Sequence, residues 1–87
     1  LVIFSPIYSP DREEYPNAVG FTLRQMRLEV KEAVNKLEKH GDKNVYYVDG
    51  LDIFNENYAH LLPDGLHPNT EGYGIMAANI LEALRQF

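Results

Sequence analysis

The residues of this chain best suited to chemistry are Asp64-Gly65-Leu66-His67-Pro68-Asn69, where a carboxylate and an imidazole stand three residues apart. Gly65 permits a tight bend, and Pro68 restricts His67 to extended backbone. In such a turn the carboxylate of Asp64 accepts a hydrogen bond from Nδ1–H of His67. That fixes the tautomer and leaves Nε2 to take a proton from a nucleophile. Proton transfer of this kind contributes about 10²–10⁴ in rate. Two other readings stay open on these residues alone. Taken alone, such a pair is more often a structural hydrogen bond than a catalytic one, and Asp64, His67 and Glu71 are ligand types that zinc accepts. His40 reads as a helix-end residue and His60 as a loop residue. The serines are Ser5 and Ser9, both beside prolines and neither in a Gly-x-Ser-x-Gly elbow, so no residue of the chain reads as a nucleophile.

The elements that must hold this turn are legible from periodicity. Asn69 or Thr70 is placed to cap a helix over about 70–86, with Glu71 in its first turn. Its apolar side reads Tyr73, Met76, Ala77, Ile80, Leu81 and Leu84, and Tyr73 is expected in the core where the helix meets a sheet. Upstream, residues 51–68 read as irregular. Val45-Tyr46-Tyr47-Val48 is a β-branched and aromatic strand ended by Asp49-Gly50. A helix is predicted over 21–40, with Leu23, Met26, Val30, Ala33, Val34 and Leu37 on one side. Its charges, Arg24, Arg27, Lys31, Glu32, Lys36, Glu38 and Lys39, are interleaved in sign and expected to be solvated. Gly41 stops it. Residues 5–20 hold three prolines and form a long loop, and Leu1-Val2-Ile3-Phe4 reads as a strand buried on both faces. Strand, helix, strand in that order makes the two strands parallel. Two such strands with two helices leave unpaired edges, so further strands are expected from an N-terminal part of the same polypeptide or from a partner chain. The start in mid-strand without Met is read as a cut from a longer chain.

Composition narrows the partners. Eighty-seven residues allow one domain at most, with 45% hydrophobic and 24% charged residues supporting a packed core. Thirteen acidic against eight basic side chains give a net charge of −5, which disfavours nucleic acid and anionic membrane surfaces. No run approaches the roughly 20 apolar residues of a membrane span. Without Cys there is neither a disulfide framework nor a thiolate metal site. The compartment stays open.

The segment Asp64-Gly65-Leu66-His67-Pro68-Asn69-Thr70-Glu71-Gly72-Tyr73, an Asp-x-x-His-Pro turn running into Asn-x-x-Gly-Tyr and an alanine-containing helix, resembles the last block of SGNH/GDSL hydrolases. So does the order around it: a strand closing in Ser5-Pro6, a long loop, a helix, a strand ending at Asp49 and an irregular stretch. The resemblance implies the C-terminal portion of a flavodoxin-like three-layer α/β/α SGNH-hydrolase fold with a parallel sheet, running strand-helix-strand-loop-helix. Residues 1–87 would then be a partial SGNH-hydrolase domain without the nucleophile-bearing N-terminal part. It further implies ester hydrolysis, as in an esterase, lipase or acylhydrolase, by a Ser-His-Asp mechanism without metal or cofactor. Asp64 and His67 would be supplied by this chain, which would be inactive alone. The family's Gly-Asp-Ser has its nearest echo in Gly41-Asp42-Lys43, which lacks a hydroxyl, and Asn55, Asn57 and Asn69 lie outside any oxyanion-hole block. Sites in open α/β sheets lie at the carboxyl ends of strands, so Ile7 and Tyr8, after the first strand, are expected to line the acyl pocket. The reading of another class is a non-catalytic binding module that keeps the hydrolase-like turn as structure.

Overall fold

The computed structural model describes residues 1–87 and is mixed α/β, with a sheet of two short parallel strands. Strand β1 (Val2–Phe4) pairs with β2 (Tyr46–Val48) in the register Val2 to Tyr46, Ile3 to Tyr47 and Phe4 to Val48. Between them runs α1 (Leu23–Lys39). Its start is fixed by a capping box: Thr22 Oγ1 accepts from Gln25 N at 3.1 Å, and Gln25 Oε1 accepts from Thr22 N at 2.9 Å. Its end is fixed by Gly41, just beyond the cap residue His40, and by Lys36 and Lys39 in the last turn. After β2 comes a short helix α2 (Gly50–Ile53), then a 3₁₀ helix (Glu56–Leu61), then α3 (Thr70–Leu84). No helix is long and apolar enough to cross a membrane.

The carboxyl ends of the two strands are tied by backbone that leaves no room for a side chain. A Cβ on Gly50 would lie 2.1 Å from the Pro6 carbonyl oxygen and 2.3 Å from that of Ser5. Ser5 Oγ accepts from Gly50 N at 2.8 Å and from the Tyr47 hydroxyl at 3.0 Å, so this buried serine is a structural tie. The apolar centre lies beyond it: Phe54, Leu61 and Leu62, with Ile7, Tyr8, Tyr58, Ile75 and Met76 packed around them. The nominally irregular stretch 51–68 thus supplies most of this core. Asp49 and Asn55 start its two short helices by accepting from Leu51 N and Asn57 N.

Three expectations from the sequence are corrected. Tyr73 is not in the core but 53% exposed. Helix α3 turns Gly72, Ile75, Met76, Asn79 and Ile80 inward instead, an orientation held by the bond from Asn79 Nδ2 to the Ile53 carbonyl at 2.8 Å. Strand β1 is not buried on both faces: Val2 and Ile3 are half-buried and Phe4 is exposed, because no helix of this chain packs extensively over β1. Arg27 is not solvated. It is buried and engaged on all sides, with consequences for the site.

Candidate active site

Asp64 and His67 lie in the turn between the 3₁₀ helix and α3. The downstream side is anchored by ordinary helix-start chemistry: Asn69 Oδ1 accepts from Gly72 N at 2.8 Å, and Asn69 N donates to the Leu61 carbonyl at 2.8 Å. The upstream side depends on Gly65, whose φ of +74° is a conformation that side chains with a Cβ rarely adopt. A Cβ there would also meet Asp11 Oδ2 at 2.9 Å.

Within the turn one carboxylate organises everything. Asp64 Oδ1 accepts from Leu66 N at 2.9 Å and from His67 N at 2.6 Å, while Oδ2 meets His67 Nδ1 at 2.7 Å. The His67 backbone N–H first, then its ring, then Leu66 N–H hold the Asp64 carboxyl well below the ordinary carboxylate range, and the small opposing effect of burial does not offset them. With Nδ1 engaged as donor, Nε2 of His67 carries a free lone pair. Both side chains are open to solvent, His67 69% and Asp64 54% exposed. The arrangement provides an oriented base at a surface another group is able to reach.

Neither serine is such a group. Ser5 is the strand tie already described. Ser9, 2% exposed, donates from Oγ to the Gly65 carbonyl at 2.5 Å. Ile7 and Tyr8 are half-buried against the Phe54 core, and Tyr8 also rims an open recess with Glu13, Leu51, Asn55, Glu56 and Asn57, which does not include His67. No three His, Cys, Asp or Glu side chains come together as a metal site, so Glu71 does not join Asp64 and His67. His40 lies at the end of α1 and His60 in the 3₁₀ helix.

The site has a support that the residue patterns did not announce. Arg27 donates from Nη1 and Nη2 to the two oxygens of Glu13 at 2.6 and 2.8 Å, from Nε to the Pro6 carbonyl at 2.8 Å, and from Nη2 to that of Ile7 at 3.0 Å. Glu13 Oε2 also accepts from Ser9 N at 3.1 Å. Burial alone would raise the Glu13 pKa, but the Arg27 hydrogen bonds, the Ser9 N–H and the Arg27 charge together hold it below its ordinary value. A signal was available: Leu23, Arg27, Val30 and Val34 follow one another at helical spacing, so Arg27 stands on the inward stripe.

Residues 6–80 match the family model described as GDSL-like lipase/acylhydrolase. A comparison with curated proteins gives no match. Among solved structures, a salicylyl-acyltransferase from a tetracycline biosynthetic pathway is similar over 95% of this chain, at 35% identity and a TM-score of 0.76. The chain spans 26% of that neighbour's length.

Proposed function

We propose that this chain, which belongs to the GDSL-like lipase/acylhydrolase family, supplies the base and the orienting carboxylate of an acyl-transfer site. The observation that carries the reading is the bond of His67 Nδ1 to Asp64 Oδ2 at 2.7 Å, beside an exposed and otherwise unengaged Nε2. The nucleophile in this reading is a serine outside residues 1–87, since Ser5 and Ser9 are both buried in structural hydrogen bonds. In the same reading the sheet beside β1 and β2 is completed by an N-terminal part of the same polypeptide or by a partner chain.

Chemically, the hydroxyl oxygen attacks the acyl carbonyl of an ester while Nε2 of His67 takes its proton. The imidazolium is stabilised by the Asp64 carboxylate. Collapse of the tetrahedral adduct breaks the bond to the alcohol, which leaves with the proton from Nε2. In the second half an acceptor gives its proton to Nε2, attacks the acyl group and frees the nucleophile. With water as acceptor the reaction is ester hydrolysis, the reading we place first. The description of the neighbour as an acyltransferase supports a second reading, in which the acceptor is another alcohol or an amine. Ile7 and Tyr8, on the loop leaving the carboxyl end of β1, are in this reading the acyl-side contacts that this chain contributes.

The test is hydrolysis of p-nitrophenyl acetate by the full-length protein and by its His67→Ala variant. A fall in kcat of at least about 10²-fold is expected. Turnover indifferent to His67 would return the turn to a structural role and the chain to a non-catalytic binding module. Added methanol separates the two acceptors: methyl acetate in place of acetate marks transfer.

A further inference from the structure

We infer that Ser9, held by Glu13 and Arg27, is a positioning residue for the Asp64–His67 pair: its hydroxyl clamps the peptide plane on which the Asp64 carboxylate rests. The inference depends on the catalytic reading of that pair. Ser9 Oγ donates to the Gly65 carbonyl at 2.5 Å. The other end of the same peptide unit, Leu66 N–H, donates to Asp64 Oδ1 at 2.9 Å. A peptide unit is planar and turns as one body, so a rotation that released the Ser9 bond would also drag Leu66 N–H off the carboxylate. The two bonds sit at opposite ends of one polarisable unit, and each strengthens the other. Gly65, lacking a Cβ and lying at positive φ, is the residue at which such a plane rotates most freely, which is where a clamp is needed.

Ser9 is itself fixed from α1. Its N–H donates to Glu13 Oε2, its carbonyl accepts from Arg12 N at 3.0 Å and Glu13 N at 3.1 Å, and Glu13 is gripped by the Arg27 fork. Arg27 in turn fixes the loop after β1 through the Pro6 and Ile7 carbonyls. An unbroken series of hydrogen bonds thus runs from the second turn of α1 to the carboxylate that orients His67. The catalytic pair is surface-exposed, and its aim is set by groups that are buried.

The experiment is a double-mutant cycle in the full-length protein with p-nitrophenyl acetate, pairing Ser9→Ala with His67→Ala. Ser9→Ala is expected to lower kcat by about 10- to 100-fold with KM changed less than about twofold, because a small misplacement of a catalytic group costs that much. On the His67→Ala background it is expected to change nothing, since a residue acting through His67 has no effect once His67 is gone. A loss of the same size on both backgrounds, or no loss with His67 present, overturns the inference and leaves Ser9 a structural residue. If Ser9→Ala does not give folded protein by circular dichroism, Glu13→Gln, which leaves the hydroxyl in place and loosens its anchor, takes its place in the cycle with the same outcomes. If His67→Ala alone leaves turnover unchanged, it is the catalytic reading that fails, and the positioning role goes with it.

Discussion

The turn that carries His67 and the loop that carries Glu13 meet at Gly65, yet they are built on opposite plans. The turn is local: every bond that Asp64 makes is to a residue two or three positions away, and the result stands in solvent. The loop's bonds are non-local and centre on enclosed groups: Arg27 reaches back 21 residues to Pro6, and Ser9 reaches forward 56 to Gly65. Exposed charge pairs contribute little to stability, because solvent screens them, whereas breaking an enclosed pair leaves an uncompensated charge. The molecule therefore keeps the Asp64–His67 pair in one place and the energy that steadies it in another.

The sharpest way to break that division is Arg27→Ala. It strands a mostly enclosed Glu13 carboxylate and two backbone carbonyls and is expected to cost about 3–5 kcal/mol in denaturant unfolding of the intact protein. Gly65→Ala is next, at about 1–3 kcal/mol by the same measurement, since the turn must then hold an unfavourable φ and move Asp11. Acid sharpens the contrast further. Glu13 has its pKa depressed by folding, so its contribution is present above the ordinary value of 4.5 and is lost as pH falls through the lower, folded value. The stability difference between wild type and Glu13→Gln is accordingly expected to shrink on acidification below about pH 4.5. The smallest effect on stability belongs to Asp64→Asn: its unfolding midpoint at pH 7 is expected to stay close to wild type while turnover falls. A large shift in that midpoint would show the turn to be a stabilising element after all.

What could be read in advance follows the same division. The Asp64–His67 contact, the Asn69 cap and the Gly41 stop each depend on a handful of neighbouring residues, and each was legible from type and spacing. The parallel pairing of β1 and β2 followed from the helix between them. The charge pattern places Arg27 in solvent because it treats every lysine and arginine alike, although a guanidinium with two carboxylate oxygens and two carbonyls to serve is at home inside. Tyr73 departs from its expected place for a related reason. On α3 apolar residues occur on more than one side, and tertiary contacts, the packing of Ile75 and Met76 on the Phe54 core and the bond from Asn79 to Ile53, select the side that turns inward. The two short helices between Gly50 and Leu61 are too brief for a periodic signal, so the stretch reads as irregular, and their caps, Asp49 and Asn55, are the local signal that this reading passes over.

The sequence Asp64-Gly65 also bears on how long the turn survives. Aspartate followed by glycine is the pairing in which a backbone nitrogen most readily attacks the preceding carboxyl, expelling water and closing a succinimide ring that reopens largely as isoaspartate. Ring closure requires an unencumbered amide nitrogen and a protonated carboxyl. Here Gly65 N–H is committed to the Leu62 carbonyl at 3.1 Å, and the Asp64 carboxylate is held ionised with both oxygens occupied. The contacts that orient the imidazole thus slow the chemical ageing of the residue that orients it, and a chain in which this turn has opened loses both together.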